Sequence, residues 1–169
     1  GDAIKMPDPT YKNATVTADV TQLLGDADIV LAVQPPSVGT VQAMKEGAIL
    51  ISFIYANKEP ALVDALREKK LTCFAMERVP RITRAQAMDA LSTQAALSGY
   101  YGALLGATRL ARIFPRMTTA VGSLRPATVL VMGLGVAGLQ ALATARRLGA
   151  IAEGYDVRSE TREEAASLG

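Results

Sequence analysis

Residues 127–158 read ATVLVMGLGVAGLQALATARRLGAIAEGYDVR, and the order of signals in this stretch decides the fold. An apolar run from Thr128 to Met132, with Pro126 before it and glycine after it, has the length of a strand. Gly133, Gly135 and Gly138 then spell G-x-G-x-x-G. Leu139 to Leu148 has the alanine- and leucine-rich composition of a helix. Arg146 and Arg147 stand in its last turn, where cations suit the helix dipole, and Gly149 follows as a C-terminal cap. A second strand-like run, Ile151 to Tyr155, ends in Asp156.

Each glycine has its own physical reason. Gly133 permits a tight turn out of the strand, Gly135 lets backbone approach a pyrophosphate, and Gly138 lets helix and strand pack closely. The helix start, at Val136 and Ala137, offers free N–H groups and the positive dipole end to phosphates. Asp156 lies 23 residues after Gly133, near the offset of about 20 expected of an acid that grips a ribose diol. A carboxylate there favours NAD over NADP, and Arg158, two positions on, weakens that preference. The cofactor-binding candidates are therefore Gly133, Gly135, Val136, Ala137, Gly138, Asp156, Val157 and Arg158. Two other readings compete: a purely structural glycine turn, and a membrane span, since Thr128 to Ala145 is eighteen residues without a charge. Glycines at turn spacing and missing anchor aromatics speak against the span.

The composition narrows the chemistry. Of 169 residues half are apolar and a fifth charged, a globular balance, and the formal net charge is +2 with no long block of one sign. A basic nucleic-acid face is not indicated. There is no histidine, which removes imidazole general-base catalysis and histidine-ligated metals, and one cysteine cannot build a thiolate metal site. Cys73 lies within an apolar run and reads as a small core residue of a reducing compartment. The opening GDAIKMPDP has no signal-peptide core.

Along the chain, residues 1–13 read as irregular, Ala14–Thr17 as a short strand, and Val20–Leu24 as a helix ending at Gly25. Three apolar runs, Asp28–Val33, Ala48–Ile54 and Leu71–Met76, read as buried strands. Helices over Val38–Lys45 and Glu59–Lys69 alternate with them. That alternation predicts an α/β fold: parallel sheets with flanking helices on both faces. Ser92–Phe114 reads as a long helix with close-packing glycines at 99, 102 and 106, ended by Pro115, and Arg116–Arg125 as a connection. The predicted organisation is a first α/β domain over 1–91, a linking helix and connection over 92–125, and the start of a Rossmann-type dinucleotide-binding domain over 126–169. With two strands after Ala127, the chain is expected to hold half or less of that second domain.

VQPP (33–36), LISFIY (50–55), FAMERVPRITRAQAMDALS (74–92) and VLVMGLGVAGLQALATARRLGA (129–150) with YDVR (155–158) together resemble one family. It is the NAD(H)-binding component of proton-translocating nicotinamide nucleotide transhydrogenase, related in fold to alanine dehydrogenase. The likeness covers roughly residues 20–169 and is most specific in PRITRAQAMDALS. It implies hydride transfer from NADH on this component to NADP⁺ on a partner domain, coupled through a membrane domain to proton movement. Such a hydride needs proximity and orientation rather than a general base, which suits a chain without histidine. Alanine dehydrogenases carry a histidine shortly after the strand that here reads Phe53-Ile54-Tyr55-Ala56, and V-K-E-P where this chain has Val33-Gln34-Pro35-Pro36. Both departures favour transhydrogenase. An alanine dehydrogenase-like enzyme and a non-catalytic NAD-binding or assembly module are the alternatives. The resemblance also implies a homodimer, and a place on the cytoplasmic (or matrix) inner face of a membrane, peripheral to it. Family members are about twice this length, with an opening strand and a mobile loop that this sequence does not contain.

Carried over position by position, the resemblance nominates Arg81, Gln86, Asp89 and Ser92 at the nicotinamide end, with Gln86 hydrogen-bonding the carboxamide. The residues alone allow a plainer reading. Thr83 and Gln86 also form a T-x-x-Q capping box, and Asp89 is able to pair with Arg81 or Arg84 on a solvated face. Tyr55, Tyr100 and Tyr101 read as packing residues without a site role.

Overall fold

The computed structural model describes residues 4–168, and the chain divides into two compact units, Gly1–Pro80 and Arg81–Gly169. The ends of the expected irregular opening and of the last helix, residues 1–3 and 169, lie outside the described residues.

In the first unit, capping chemistry sets the helix starts. Asp19 accepts the Gln22 amide at 3.0 Å to open α1 (Val20–Gly25), and Ser37 accepts the Thr40 amide at 3.1 Å to open α2 (Val38–Ala43). Pro60 begins α3 (Pro60–Glu68), where its missing N–H costs nothing. Between these helices run β1 (Ile29–Leu31), β2 (Ile49–Ser52) and β3 (Thr72–Ala75), parallel and ordered β1-β2-β3. Ile29 is in register with Ile49, and Ile49 with Thr72. One sheet face is covered: Leu50 packs in a core with Val41, Met44, Leu62 and Leu66. The other stays open, for Leu31 is 74% exposed and Phe74 56% exposed. The expectation of helices on both faces, with β1 and β3 buried, is corrected here. Continuous apolar runs suit strands covered on both sides, but only one side of this sheet has a layer over it. Cys73 is likewise exposed rather than a core residue. Ala14–Thr17 forms no strand, because no described strand pairs with it.

In the second unit, α4 (Ala90–Arg109) ends at Arg109, five residues before the expected stop, and packs along α5 (Val136–Arg147). Of its three glycines only Gly99 is a close-packing position: a Cβ there would lie 2.0 Å from the Ala137 carbonyl oxygen. Gly102 has nothing within 4 Å and Gly106 only the Phe114 ring at 3.9 Å. The expected connection Arg116–Arg125 is instead a hairpin, β4 (Met117–Thr119) against β5 (Gly122–Leu124), antiparallel, with Gly122 at φ +137°. Then come β6 (Thr128–Met132), the glycine bend, α5, β7 (Ile151–Tyr155) parallel to β6, and α6 (Thr161–Ser167). The eighteen uncharged residues are thus split between strand and helix. Among the described residues no helix is long and apolar enough to cross a membrane. Phe114, Ala127, Ala145 and Ala150 form the small core. Gly149, at φ +89°, turns the chain against Pro115, where a Cβ would come within 2.6 Å.

Candidate functional site

The glycine bend is built as its spacing requires. Gly133 sits at φ +92°, a left-handed conformation that a side chain resists, and its amide donates to the Tyr155 carbonyl at 2.7 Å. Gly138 lies so close to the bend that a Cβ would fall 1.8 Å from the Gly133 carbonyl oxygen. Gly135 is the opposite case. Nothing lies within 4 Å of the place its Cβ would take, so the backbone there is open to an approaching group. Leu139 makes the first hydrogen bond of α5, to the Gly135 carbonyl at 2.9 Å. Ahead of it, the amides of Val136, Ala137 and Gly138 have no hydrogen-bond partner among the described residues. These are the unsatisfied donors of a helix start, backed by the dipole of a twelve-residue helix.

Asp156 is turned onto this bend. Its Oδ2 accepts the Leu134 amide at 2.7 Å, and its Oδ1 accepts the Arg158 amide at 2.8 Å. Arg158 also reaches back with its side chain, Nε to Oδ1 at 3.1 Å and Nη2 to Oδ2 at 3.0 Å. The carboxylate side chain is only 6% exposed and that of Arg158 58%. The guanidinium of Arg158 first, then the Arg158 and Leu134 amides, hold the Asp156 carboxyl far below the ordinary carboxylate range. The acid is therefore ionised throughout the range in which proteins fold. Val157 is 86% exposed and makes no polar contact among the described residues. A cleft of about 300 Å³ lies beside Asp156, lined also by Leu134, Leu142, Gly154, Arg146 and Arg162. The Leu134 amide is the contributor that sequence reading missed, because a backbone donor carries no side-chain signal.

The group at 81–92 divides. Asp89 caps α4, its Oδ1 accepting the Ser92 amide at 2.9 Å; Ser92, its hydroxyl first and then its amide, lowers the Asp89 carboxyl below its ordinary value, and the charge of Arg81 adds to this. So Arg81, Asp89 and Ser92 come together. Gln86 is exposed on a 3₁₀ turn over Thr83–Met88, and its side chain has no hydrogen-bond partner among the described residues. The capping box is not formed: Ile82, without a side-chain cap, precedes that turn. Asp89 caps a helix instead of lying in a pair on a solvated face. The tyrosines read as packing are exposed, Tyr100 at 47% and Tyr101 at 59%. Tyr55 stacks on Phe53 with centroids 5.9 Å apart but is also exposed.

In the first unit Glu77 closes the end of β2. Its carboxylate accepts the amides of Ile54 at 3.0 Å and Tyr55 at 2.8 Å, beneath a left-handed Tyr55 at φ +51°. Partial burial raises the Glu77 carboxyl, but the amides of Ile54, Glu77 and Tyr55 and the charge of Arg78 together outweigh it, so the net shift is downward. A lowered folded value means stability present above the ordinary pKa of 4.5 and lost as pH falls through the folded one. Glu77→Gln is expected to cost the first unit about 1 kcal/mol at pH 7 and nothing at pH 2. Urea midpoints at the two pH values check this. An equal loss at both would show that charge plays no part.

Two family descriptions match the chain: the alanine dehydrogenase/PNT N-terminal domain over residues 1–98, and the alanine dehydrogenase/PNT C-terminal domain over residues 102–169. The chain belongs to the alanine dehydrogenase/PNT family. Within that family it is 48% identical over 165 residues to the first portion of NAD(P) transhydrogenase subunit alpha of Rhodospirillum rubrum, across 95% of this chain and 43% of that protein. The crystal structure of transhydrogenase from Sinorhizobium meliloti matches with a TM-score of 0.88 at 43% identity, over 98% of this chain and 50% of that one. Alanine dehydrogenase of Mycobacterium tuberculosis is more distant, 29% identical over 160 residues, covering 93% of this chain and 43% of that enzyme. The chain thus spans about half, or somewhat less, of the length of these family members.

Proposed function

We propose that this chain is the NAD(H)-binding part of a proton-translocating transhydrogenase. The observation that carries the reading is the Asp156 carboxylate bonded to the Leu134 amide at 2.7 Å, inside a glycine bend that leaves the first three amides of α5 without partners. The residues fit a dinucleotide. Gly135 leaves room at the backbone, the amides of Val136, Ala137 and Gly138 suit a pyrophosphate, and Asp156 suits a ribose diol and disfavours a 2′-phosphate. Gly133 and Gly138 hold the bend, and Val157 and Arg158 follow the acid at its rim. When bound, NADH supplies a hydride that passes to NADP⁺ on a separate domain. The chain's own part is to bind and orient, and no proton transfer is asked of it. Gln86, whose amide is free, would take the carboxamide of the nicotinamide, while Arg81, Asp89 and Ser92 fix the segment that presents Gln86.

The similarity to transhydrogenase alpha subunits supports the same reading, including partners in the form of an NADP(H)-binding domain, a membrane domain and a second copy of the chain. In that assembly the chain sits peripherally on the cytoplasmic, or matrix, face of the membrane. Alanine-dependent reduction of NAD⁺ is not expected, since no histidine stands near Tyr55 or anywhere else.

The test mixes the chain with the NADP(H)-binding domain of a related transhydrogenase and follows hydride transfer from NADH to thio-NADP⁺. Transfer is expected, with NADH binding weakened about tenfold or more in Asp156→Asn and discrimination against NADPH relaxed. No binding of NADH, or an Asp156→Asn variant with unchanged affinity and selectivity, removes the proposal.

A further inference from the structure

A carboxylate offers about four acceptor positions, two on each oxygen. At Asp156 all four are filled, and the donors are of two kinds. The amides of Leu134 and Arg158 are fixed by the bend and by the chain itself. The other two donors, Nε and Nη2 of Arg158, form a fork across both oxygens, the edge that a vicinal diol must use. They belong to a long side chain that is 58% exposed, whereas the carboxylate is 6% exposed. Only the arginine can leave without disturbing the backbone. It also has somewhere to go, because Glu160 and Glu164 add to the negative field around it.

We propose that Arg158 is a built-in competitor for the diol-binding edge of Asp156, displaced by the ribose on binding, and so a specificity-determining residue of this site. The inference rests on the ribose role of Asp156 proposed above. Three consequences follow from the geometry. First, the backbone donors keep the acid aimed at the bend whether or not the fork is present, so the site is positioned in advance and only masked. Second, each binding event exchanges two guanidinium bonds for two hydroxyl bonds, and the net affinity for a dinucleotide with a free diol is lower than the acid alone would give. The penalty is that of an exposed ion pair, which is small and weakened by salt. Third, the released guanidinium stays beside the ribose as a planar, two-pronged phosphate ligand. It therefore gives a 2′-phosphorylated dinucleotide residual affinity that Asp156 alone would deny.

The experiment compares the wild-type chain, Arg158→Ala and Asp156→Asn by two readouts. Hydrogen exchange at the Leu134 amide, without nucleotide, reports whether the acid is still in place. Protection is expected to survive in Arg158→Ala and to fall in Asp156→Asn. Calorimetric titration with NADH and with NADPH reports the competition. Arg158→Ala is expected to bind NADH about two- to fivefold more tightly and NADPH more weakly than wild type. Loss of Leu134 protection in Arg158→Ala overturns the proposal, since the arginine would then hold the acid rather than mask it. Equal or weaker NADH binding by a variant that keeps the protection also overturns it, while leaving the dinucleotide reading intact. Absence of NADH binding by wild type and Arg158→Ala alike removes the dinucleotide reading itself, and with it any ligand to compete for.

Discussion

Gly138→Ala is expected to lower the melting temperature of the second unit by at least about 12 °C. The added Cβ would lie 1.8 Å from the Gly133 carbonyl oxygen, 2.9 Å from its carbonyl carbon and 3.4 Å from the Val131 side chain. The first two of those atoms are backbone, in a bend held by the Gly133 amide bond to Tyr155 at 2.7 Å. No side chain can swing aside to make room. Relief requires moving the start of α5 away from β6, which breaks the packing the fingerprint exists to make. Overpacking that forces backbone shifts costs about 3 kcal/mol or more, a large share of ordinary domain stability. For a unit of this size that corresponds to the stated shift. Thermal denaturation followed by circular dichroism reads it, and a change of only two or three degrees would mean that the bend is far softer than its contacts imply.

Gly99→Ala is the second large effect, and Gly102→Ala is its control. A Cβ on Gly99 would meet Ala137 at 2.0 Å from the carbonyl oxygen, 2.8 Å from the carbonyl carbon and 3.0 Å from Cα. Two helix backbones touch here without an intervening side chain. The variant must either part α4 from α5 or turn the first residues of α5, and a loss of about 3 kcal/mol is expected. Gly102 is on the same helix with nothing within 4 Å, so alanine there should be neutral or stabilising by up to about 1 kcal/mol through helix propensity. Chemical denaturation of both variants is the comparison. Similar losses at both sites would indicate a helix-propensity or unfolded-state effect and not the close contact.

Where local chemistry dictates local structure, the sequence was a good guide. The turn at Gly133, the close approach at Gly138, the cap at Gly149 and the proline start of α3 are consequences of single residue types, and they stand where they were expected. Strand identity was equally legible, because apolar runs of four to six residues between turn signals have few other uses. Burial was not. Ile29, Leu31 and Phe74 are apolar and exposed, and no pattern within a strand tells whether the layer meant to cover it is part of the same chain. The hairpin at Met117–Leu124 was missed because its residues, all exposed, show neither alternation nor an apolar run. At the site, the positions of Asp156 and the glycines were readable from spacing. The Leu134 amide and the Arg158 fork were not, for hydrogen-bond partners depend on rotamers and backbone direction, which spacing does not encode.

The contact between Gly99 and the peptide of Ala137 ties two distant stretches of sequence together mechanically. Asp89 clamps one end of α4, and about 15 Å along that rod Gly99 bears on the opening turn of α5. A helix resists bending over such a length, so a push at residues 81–92 is delivered as torque to Val136–Gly138. The two halves of a bound ligand would then be gripped by opposite ends of one stiff beam rather than by two independent loops.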